Sequence, residues 1–285
     1  MKADLAPIAA ADIPAVSRFM HDHHNRRIAP EDWARALNVP WSVSVPNHGF
    51  VLRSGGEIVG AYLAYYADRE VGGRVEQFCN LGAWCVLESY RAEGVRLLMA
   101  LLRMRGYHFT DFSPSGSVVP LNRKLKFTEL DTSTSLLLNV PWPVSSKAIR
   151  VVEDPDLLSS TLTGPERQIY LDHRDAGAAR HLLLVAGERH CHVIFRKDTR
   201  KRIRAFASIL YVTDAELFQS AVRQVGSHLL LKHGAAATLM EQRVVGGRPR
   251  GTIPLTSARP KMFKSTSLIA DEVDYLYSEL VCLEW

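Results

Sequence analysis

The chain has 285 residues, of which 47% are hydrophobic and 23% charged, a composition typical of a globular protein with a sizeable core. Its length favours two domains over one. The formal net charge of +5 comes without a long block of like charge, so it does not indicate a nucleic-acid-binding protein and fits a preference for an anionic ligand equally well.

Targeting signals and disulfides are not indicated either. No apolar run reaches 18 residues, and the first residues, MKADLAPIAAADIPAV, contain no long apolar stretch. The four cysteines (Cys79, Cys85, Cys191 and Cys282) are scattered without C-x-x-C spacing, which is typical of reduced, structural thiols. We therefore expect a cytoplasmic protein without a membrane span.

The first half of the chain predicts helices alternating with strands. In chain order these are a helix over 13–24 capped by Asp12, a helix over 30–37, a hairpin over 49–70, a strand over 75–90, a helix over 94–106, a strand over 108–114, a short helix over 117–125 and a strand over 127–140. The strand–helix–strand succession in the middle implies a parallel, right-handed crossover.

The second half repeats this order loosely after a predicted linker, PWPVSSKAIR, at residues 141–150. Its predicted elements are a hairpin over 179–198, a strand over 204–214, a helix over 215–234 capped by Asp214, a strand over 236–245 and a final strand over 272–285. The shared order suggests an internal structural repeat. We predict domains at 1–143 and 150–285.

Two motifs in the first half carry a family resemblance. RAEGVR has Arg91 and Gly94 between a strand and a helix, and Arg96 ends it. Further on, SPSGSVVPLNRKLKF has a serine-rich turn before Asn122 and Lys126. Residues 84–127 resemble the GNAT superfamily of acyl-CoA-dependent N-acyltransferases, whose signatures are Q/R-x-x-G-x-G/A and a later Y-x-K-x-G-F. The order of elements extends the resemblance over about residues 5–140.

The resemblance implies a mixed α/β fold with two tandem GNAT-like domains, of which the second is degenerate. The first domain would bind acetyl-CoA or another acyl-CoA, with no metal cofactor. The second lacks the signature, and Asp214 and Glu216 at the start of its helix would repel a pyrophosphate. We expect residues 150–285 to have lost the pyrophosphate site and to complete an acceptor pocket.

The candidate coenzyme site lies at the start of the helix after Arg91. Backbone amides from Arg91 to Arg96, at the positive end of a helix dipole, suit a pyrophosphate, and Gly94 allows close approach. An ordinary strand-to-helix turn is the alternative, and Arg96 would either crowd the anion or add a cation. The resemblance implies coenzyme contacts for Trp84, Cys85, Val86, Arg91, Ala92, Glu93, Gly94, Val95, Arg96, Ser113, Ser115 and Asn122.

Acyl transfer to an amine needs a base for the ammonium proton. The resemblance implies a carboxylate on the central strand, so Glu76 and Glu88 are the candidates, although a solvated carboxylate at a strand end is an equal reading of Glu88. Asn122 stands at the position of the family's usual tyrosine acid. An amide does not serve as a proton donor to the departing thiolate, so solvent would protonate it.

Histidines cluster in HDHH and in RHCH. His21 and His24 follow the first predicted helix, where the resembled family often lines its acceptor pocket, so we predict substrate contact. His190 and His192 would share one face of a strand. Neither cluster has an evident third ligand, so we expect surface or pocket histidines rather than a metal site.

The leading hypothesis is therefore an acyl-CoA-dependent N-acyltransferase that acts on an amine, and the family resemblance favours an acetyl donor. The alternative is a non-catalytic acyl-CoA-binding or scaffold protein, which the missing tyrosine and Arg96 favour. The basic run RKDTRKRIR at 196–204 is either a solvated loop or a surface for an anionic acceptor. Acceptor identity, acyl chain length and oligomeric state are not encoded in these patterns.

Overall fold

The computed structural model describes residues 3–142, 149–200, 203–256 and 258–284. Most of the predicted linker, residues 143–148, lies outside the described residues, and the proposed domain limits at 143 and 150 remain a prediction. The described residues form two seven-stranded mixed sheets flanked by helices, which confirms the predicted fold class.

The first half of the chain supplies seven strands and four α-helices of the described structure. They are β1 (Asp4–Pro7), α1 (Ile13–His23), α2 (Pro30–Leu37), β2 (Gly49–Ser54), β3 (Glu57–Val71), β4 (Arg74–Val86), α3 (Val95–Leu102), β5 (Tyr107–Asp111), α4 (Val118–Lys124), β6 (Thr128–Glu129) and β7 (Thr134–Leu138). A 3-10 helix over Glu88–Glu93 joins β4 to α3. The order of these elements agrees with the prediction, except that β1 is additional and the strand predicted over 127–140 is divided into β6 and β7.

The second half repeats the same succession. Its elements are β8 (Arg150–Val152), α5 (Pro155–Thr161), α6 (Gly164–His173), β9 (Arg180–Ala186), β10 (Arg189–Arg200), β11 (Ile203–Val212), α7 (Ala215–Ser220), α8 (Val222–His233), β12 (Ala237–Glu241), α9 (Gln242–Val245), β13 (Ile253–Pro254), β14 (Met262–Lys264) and α10 (Glu279–Cys282). The described members of the basic run, 196–200 and 203–204, belong to the strands β10 and β11 rather than to a solvated loop. Two of its members, Lys201 and Arg202, lie outside the described residues.

The two sheets exchange one strand each. The first has the order β1-β2-β3-β4-β5-β14-β6 and the second β8-β9-β10-β11-β12-β7-β13. Strand β14, from the second half, is antiparallel to β5, while β7, from the first half, is antiparallel to β12. Corresponding strands therefore occupy corresponding places, and each sheet is completed by the other half of the chain.

Two strands predicted from the sequence differ from the structure. The strand predicted over 127–140 is two strands in different sheets, separated by a turn in which the Ser133 amide donates to Asp131 (2.8 Å). The second is the final strand predicted over 272–285, whose described part, 272–284, follows a 3-10 turn (Ala270–Glu272) as irregular chain and then forms α10. Its apolar side chains, including Tyr275 and Val281, are fully buried in the core cluster beside α1 and α2, so burial rather than strand pairing explains their hydrophobicity.

Asp12 does not cap α1 as predicted. Its side chain instead accepts a hydrogen bond from the Ala9 amide (2.9 Å) and pairs with Arg53 of β2 (2.8 Å). It therefore closes the turn before the helix and ties that turn to the sheet. Among the described residues, no helix combines the length and hydrophobicity needed to cross a membrane.

Candidate active site

The centre of the first sheet opens where two parallel strands separate. Strands β4 and β5 pair over Gln77–Asn80 and Tyr107–Thr110, respectively, after which β4 continues to Val86 while β5 ends at Asp111. Because parallel strands carry helices after their carboxyl ends, α3 and α4 begin beside this opening. The backbone of β4 beyond Asn80 thus faces a gap instead of a neighbouring strand.

Strand β4 has a bulge within this gap. Its register against β3 shifts between Tyr62 and Ala64, opposite Leu81 to Trp84. Gly82 sits in the bulge, where a Cβ atom would lie 2.5 Å from the ring of the buried Tyr65. Trp84 stacks on Tyr62 with 4.7 Å between ring centroids and 7° between ring planes. The gap is therefore bordered by a close-packed strand whose rings are fixed.

The turn before α3 is packed against β4. Gly94 has an ordinary right-handed backbone (φ −55°), and a Cβ there would lie 3.2–3.4 Å from the Arg91 carbonyl, Val86 and Trp84. The Gly94 amide donates to the Arg91 carbonyl (3.1 Å), so this one of the amides predicted to suit a pyrophosphate already has a partner. Glycine at this position thus has a packing reason independent of any ligand.

A cavity of about 600 Å³ extends from this turn into the space between the two sheets. At one end it is lined by the start of α3 and by the turn between β5 and α4. At the other end it is lined by strands of the second sheet. The polar residues in its wall are His24, Arg91, Asp111, Ser113, Ser115, Ser117, Thr134, Arg196, Asp198, Ser208, Glu241, Arg259 and Lys261.

Asp111 is the carboxylate at the end of β5, where the strands separate. It is 2% exposed, and its Oδ2 accepts a hydrogen bond from the Asn122 side-chain amide (2.8 Å). Burial, reinforced by the nearby charge of Glu279, raises the pKa of Asp111 to about 7, although hydrogen bonds from Asn122 and the Ser113 backbone oppose the rise. A carboxylate of this kind can exchange a proton near neutral pH.

Glu279 lies below the same opening, at the start of α10. Its backbone amide donates to Asn80 (3.0 Å), and its Oε1 accepts a hydrogen bond from the Ser113 hydroxyl (2.8 Å). Burial raises the pKa of Glu279, although the Ser113 hydrogen bond opposes the rise. The C-terminal segment therefore closes the floor of the site and places a second carboxyl group near Asp111.

The second sheet has a carboxylate at the place that corresponds to Asp111. Strands β11 and β12 pair as far as Ile209 and Met240, and Glu241 follows at the end of β12. Unlike Asp111, Glu241 is neutralised by a cation, since its Oε1 lies 2.8 Å from Lys261 Nζ and it also accepts a hydrogen bond from the Tyr275 hydroxyl. Of these two equivalent carboxylates, Asp111 has an amide rather than a cation as its side-chain partner.

Lys261 and Arg196 bring positive charge to the wall formed by the second half. Lys261 lies over the Tyr275 ring, 3.3 Å from its centroid, and burial lowers its pKa although Glu241 opposes this effect. Arg196 is paired with Asp198 (3.4 Å), which in turn accepts a hydrogen bond from Ser208 (3.0 Å). Arg196, a cation of the basic run that lines the cavity, is thus buried rather than solvated, and so is Lys261.

Seven of the twelve predicted coenzyme residues line the cavity: Trp84, Val86, Arg91, Gly94, Val95, Ser113 and Ser115. The other five have different contacts. Cys85 is paired with Ala61 of β3, Glu93 and Arg96 form an ion pair, and Ala92 is exposed in the 3-10 turn. Asn122 is fully buried and holds Asp111.

The two predicted base candidates lie outside the cavity. Glu76 pairs with His108 (3.0 Å) and lies directly before the stretch of β4 that pairs with β5. Glu88 pairs with Arg91 (2.9 Å), and its side chain is 82% exposed. Glu76 therefore has a histidine as its partner and Glu88 an arginine, and neither carboxylate lines the cavity with Asp111.

The end of α4 explains how the second motif fits. Lys126, which stands at the family's glycine position, has φ 68°, and its amide donates to the Arg123 carbonyl (3.1 Å). The Phe127 amide donates to the Asn122 carbonyl (3.0 Å), which completes a Schellman turn. The left-handed position is thus retained without its usual glycine, and the turn fixes the backbone of Asn122.

Of the two histidines predicted to contact the substrate, one lies in the cavity wall. His24 lines the cavity, whereas the His21 ring hydrogen-bonds to the Ile28 carbonyl (2.8 Å). His190 pairs with Glu166 (2.8 Å), and His192 is buried with its ring stacked on His181.

In the described part of the chain, one group with metal-ligand spacing lies elsewhere. It consists of Glu153, His228 and His233, whose ligand atoms all lie within 4.8 Å of one another. None of the three was singled out in the sequence.

Sequence reasoning also missed Asp111, Glu279, Glu241 and Lys261. One signal was present for Asp111, because a charged residue ends the apolar strand HFTD immediately before the serine-rich turn. The other three come from the second half of the chain: Glu241 ends β12 of the second sheet, Lys261 precedes the exchanged strand β14, and Glu279 belongs to the C-terminal segment. No local pattern announces that placement.

Solved structures share this architecture. A GCN5-related N-acetyltransferase from Anabaena variabilis matches with a TM-score of 0.58 at 9% identity, covering 92% of this chain and 72% of the other. The chain has the GNAT superfamily fold. A GCN5-related N-acetyltransferase from Sphaerobacter thermophilus matches with a TM-score of 0.51 at 13% identity, covering 92% and 94%. No family model and no curated protein matches this sequence.

The fold is also similar to that of an enzyme whose acyl-CoA ligand has a longer chain than acetyl-CoA. The Saccharomyces cerevisiae N-myristoyltransferase with bound myristoyl-CoA matches with a TM-score of 0.51 at 9% identity, covering 96% of this chain and 82% of the other. These comparisons confirm the GNAT resemblance seen in the sequence. At identities of 9–13% these comparisons establish the fold alone, and the chemistry has to be argued from the residues of the site.

The counterpart of the α3 turn in the second half is acidic. Asp214 caps α7 through the Leu217 amide (2.9 Å) and pairs with Arg189 (2.7 Å), which also contacts Glu216 (3.1 Å). Fixed carboxylates at this helix start oppose the binding of an anion.

Proposed function

We propose that this protein transfers an acyl group from acyl-CoA to an amine, with Asp111 as the general base. The observation that carries the proposal is the single cavity that joins the α3 turn to Asp111 at the separation of β4 and β5. The GNAT fold supports an acyl-CoA donor. The acetyltransferase neighbours make acetyl-CoA a candidate, and the myristoyltransferase neighbour adds acyl-CoAs with longer chains.

The donor would enter along the open edge of β4. The start of α3 and the turn before α4 line this end, and both offer the positive end of a helix dipole to the coenzyme phosphates. Arg91 is the exposed cation at this mouth, with its side chain 78% accessible. Arg96 is paired with Glu93 and bonded to the Ala3 carbonyl, so we assign it to holding the turn.

The acceptor would approach from the second-sheet wall. Its ammonium group loses a proton to Asp111, and the neutral nitrogen attacks the thioester carbonyl carbon. The C–N bond forms, the nitrogen releases its second proton to water and the C–S bond breaks. The thiolate takes a proton from solvent, since Asn122 is not a proton donor. Positioning is the role of Asn122, because its hydrogen bond fixes the Asp111 carboxylate.

The equivalent carboxylate supports this assignment. Glu241 occupies the corresponding place in the second sheet, but Lys261 holds it as an ion pair. Among the described residues, the side-chain hydrogen-bond partner of Asp111 is the Asn122 amide rather than a cation, and burial raises the pKa of Asp111 to about 7. Of these two corresponding carboxylates, Asp111 is thus the one that can serve as a titratable base. The acidic α7 turn lies in the half that contains Glu241, where we expect no phosphate site.

A non-catalytic acyl-CoA-binding protein is the second candidate. The observation that favours it is Asn122, since the family's tyrosine acid is absent and the amide that replaces it is committed to Asp111. Donor binding is common to both candidates, whereas turnover distinguishes them.

The test begins with donor binding and then measures turnover. Calorimetric titrations with acetyl-CoA, octanoyl-CoA and myristoyl-CoA identify the donor, and release of free CoA thiol is followed with a panel of small amines and peptides with free N-termini. Binding with Asp111-dependent turnover supports the enzyme. Binding with no turnover of any acceptor supports the binding protein, and no binding of any acyl-CoA contradicts both candidates.

A further inference from the structure

A cluster of ligand-type side chains lies at the edge of the second sheet, apart from the cavity. Glu153 follows β8, the edge strand, while His228 and His233 belong to the last turns of α8. The Nε2 atoms of both histidines converge on the same oxygen, Glu153 Oε1, at 2.5 Å and 2.6 Å. Three donor atoms from two separate elements thus meet at one point.

The histidines are held in place by the fold. Their side chains are 17% and 13% exposed, whereas that of Glu153 is 36% exposed and reaches the cluster from the solvent side. The His233 ring packs edge-on against the buried Phe195 with 5.0 Å between centroids. The two imidazoles are therefore partly buried and fixed, and they leave one side of the cluster open to water.

The donor set selects the class of ion. Two imidazoles and one carboxylate suit zinc and its first-row neighbours, whereas Mg²⁺ and Ca²⁺ favour oxygen ligands. Zinc ligands lie about 2.0–2.1 Å from the ion, so tetrahedral neighbours are roughly 3.3 Å apart. The present separations are shorter, so Glu153, the most exposed of the three, would withdraw by less than about 1 Å to admit an ion.

Helix α8 adds a favourable field. It spans twelve residues and ends at His233, followed by Gly234 in the left-handed conformation. A cation near the carboxyl end of a helix is stabilised by the helix dipole. Charge, ligand type and convergence thus point to the same occupant.

We propose that Glu153, His228 and His233 form a zinc site, with water in the fourth position, that ties β8 to the end of α8. The ion would replace the hydrogen bonds between carboxylate and imidazoles with three coordinate bonds. It would pin the edge strand of the second sheet onto the helix that covers it. This role is independent of acyl transfer, because none of the three residues lines the cavity.

The test uses the full chain without an affinity tag, stripped with EDTA and transferred to metal-free buffer. Calorimetric titration with ZnCl₂ is expected to give one site per chain and a rise in melting temperature, because the ion binds the native state. Titration with Co²⁺ is expected to give visible bands of nitrogen and oxygen ligation without the intense near-ultraviolet absorption of thiolate, which separates this site from the cysteines.

Glu153→Gln, His228→Gln and His233→Gln are each expected to weaken zinc binding at least tenfold, since even outer-shell changes cost about 10–100-fold. The matched control is His190→Gln, which removes a histidine from a comparable pair with Glu166 at 2.8 Å. It should bind zinc like the wild type. Circular dichroism of the metal-free variants checks that they fold.

Two outcomes would overturn the proposal. Either the wild type binds zinc no more tightly than Glu153→Gln, His228→Gln and His233→Gln, or His190→Gln loses as much affinity as these ligand variants. Glu153→Gln keeps the shape of the cluster, so it remains informative even if a histidine variant does not fold.

Discussion

At the scale of single residues, the proposed role of Asp111 as general base can be tested directly. Asp111→Asn keeps an acceptor for the Asn122 amide but removes the base, so we expect the rate of acyl transfer to fall by about 10²–10⁴-fold. The wild-type rate should rise as the pH increases through about 7, because only the deprotonated carboxylate accepts a proton. Rates of CoA release between pH 5.5 and 9 measure both effects.

Glu88→Gln and Glu76→Gln are the matched controls, because these carboxylates were the candidates from sequence. Both variants should retain wild-type rates and the same pH profile. A loss of rate in Glu88→Gln with an active Asp111→Asn would transfer the role of base to Glu88.

The same Asp111→Asn change lowers the expected rate of acyl transfer but should raise the free energy of unfolding at pH 8. The pKa of Asp111 is raised from 3.8 to about 7 in the folded state, so the stability that is present below pH 4 is lost as the pH rises through 7. That difference corresponds to at most roughly 4 kcal/mol. We expect the variant to be more stable than the wild type in urea at pH 8, with the difference vanishing near pH 4. Equal stability at both values would contradict the pKa.

Gly94 separates a ligand effect from a packing effect. An added Cβ meets Val86 and Trp84 at 3.3–3.4 Å, so Gly94→Ala itself carries some cost in packing. Gly94→Asp adds a negative charge where the coenzyme phosphates are expected, so its acyl-CoA affinity should fall at least about tenfold below that of Gly94→Ala. Calorimetry of both variants measures this, and equal affinities would contradict a phosphate site at the turn.

At the scale of secondary structure, local patterns were sufficient where a segment pairs with its neighbours in sequence. The helix over 30–37 and the hairpin over 49–70 agree with α2, β2 and β3, because capping proline, glycine turn and alternation are local signals. The segment over 272–285 was read wrongly as a strand. Its apolar residues are buried by contacts with distant helices, and no short window of sequence contains those contacts.

The Schellman turn after α4 offers a test at the same scale. Lys126 has φ 68°, a conformation that costs an L-residue about 1–2 kcal/mol and glycine almost nothing. Part of the gain from Lys126→Gly is offset by the greater freedom of glycine in the unfolded chain, so we expect a stabilisation of about 0.5–1 kcal/mol. Urea unfolding measures the change.

Lys124→Gly is the matched control, because Lys124 is also exposed but lies in the last turn of α4 itself. There glycine should destabilise the protein, by up to about 1 kcal/mol. If both substitutions destabilise the protein equally, the left-handed turn is not the cause.

At the scale of the whole molecule, the exchanged strands make each half depend on the other. Strand β14 lies between β5 and β6, and β7 lies between β12 and β13, so neither sheet is complete without the opposite half of the chain. The proposed site has the same dependence, since Asp111 comes from the first half and Glu279 from the second. A composite site of this kind explains why motifs in one half alone gave only part of it.

This dependence predicts a single cooperative unfolding unit. Phe218 is fully buried in the core of the second sheet, and Leu101 is fully buried in the core of the first. Truncating either to alanine should cost about 2–5 kcal/mol. Because opening either sheet removes a strand from the other, we expect each variant to lower hydrogen-exchange protection in both sheets, measured by mass spectrometry on peptides from β3, β4, β10 and β11.

Each variant serves as the control for the other. In two independent domains, Phe218→Ala would weaken β10 and β11 while β3 and β4 kept wild-type protection, and Leu101→Ala would do the reverse. In a chain joined by exchanged strands, the slowest-exchanging amides of both sheets open through the same global transition, so their protection falls by the same free energy in either variant. Protection that changes only in the mutated half would contradict the coupling and would favour two domains that fold separately.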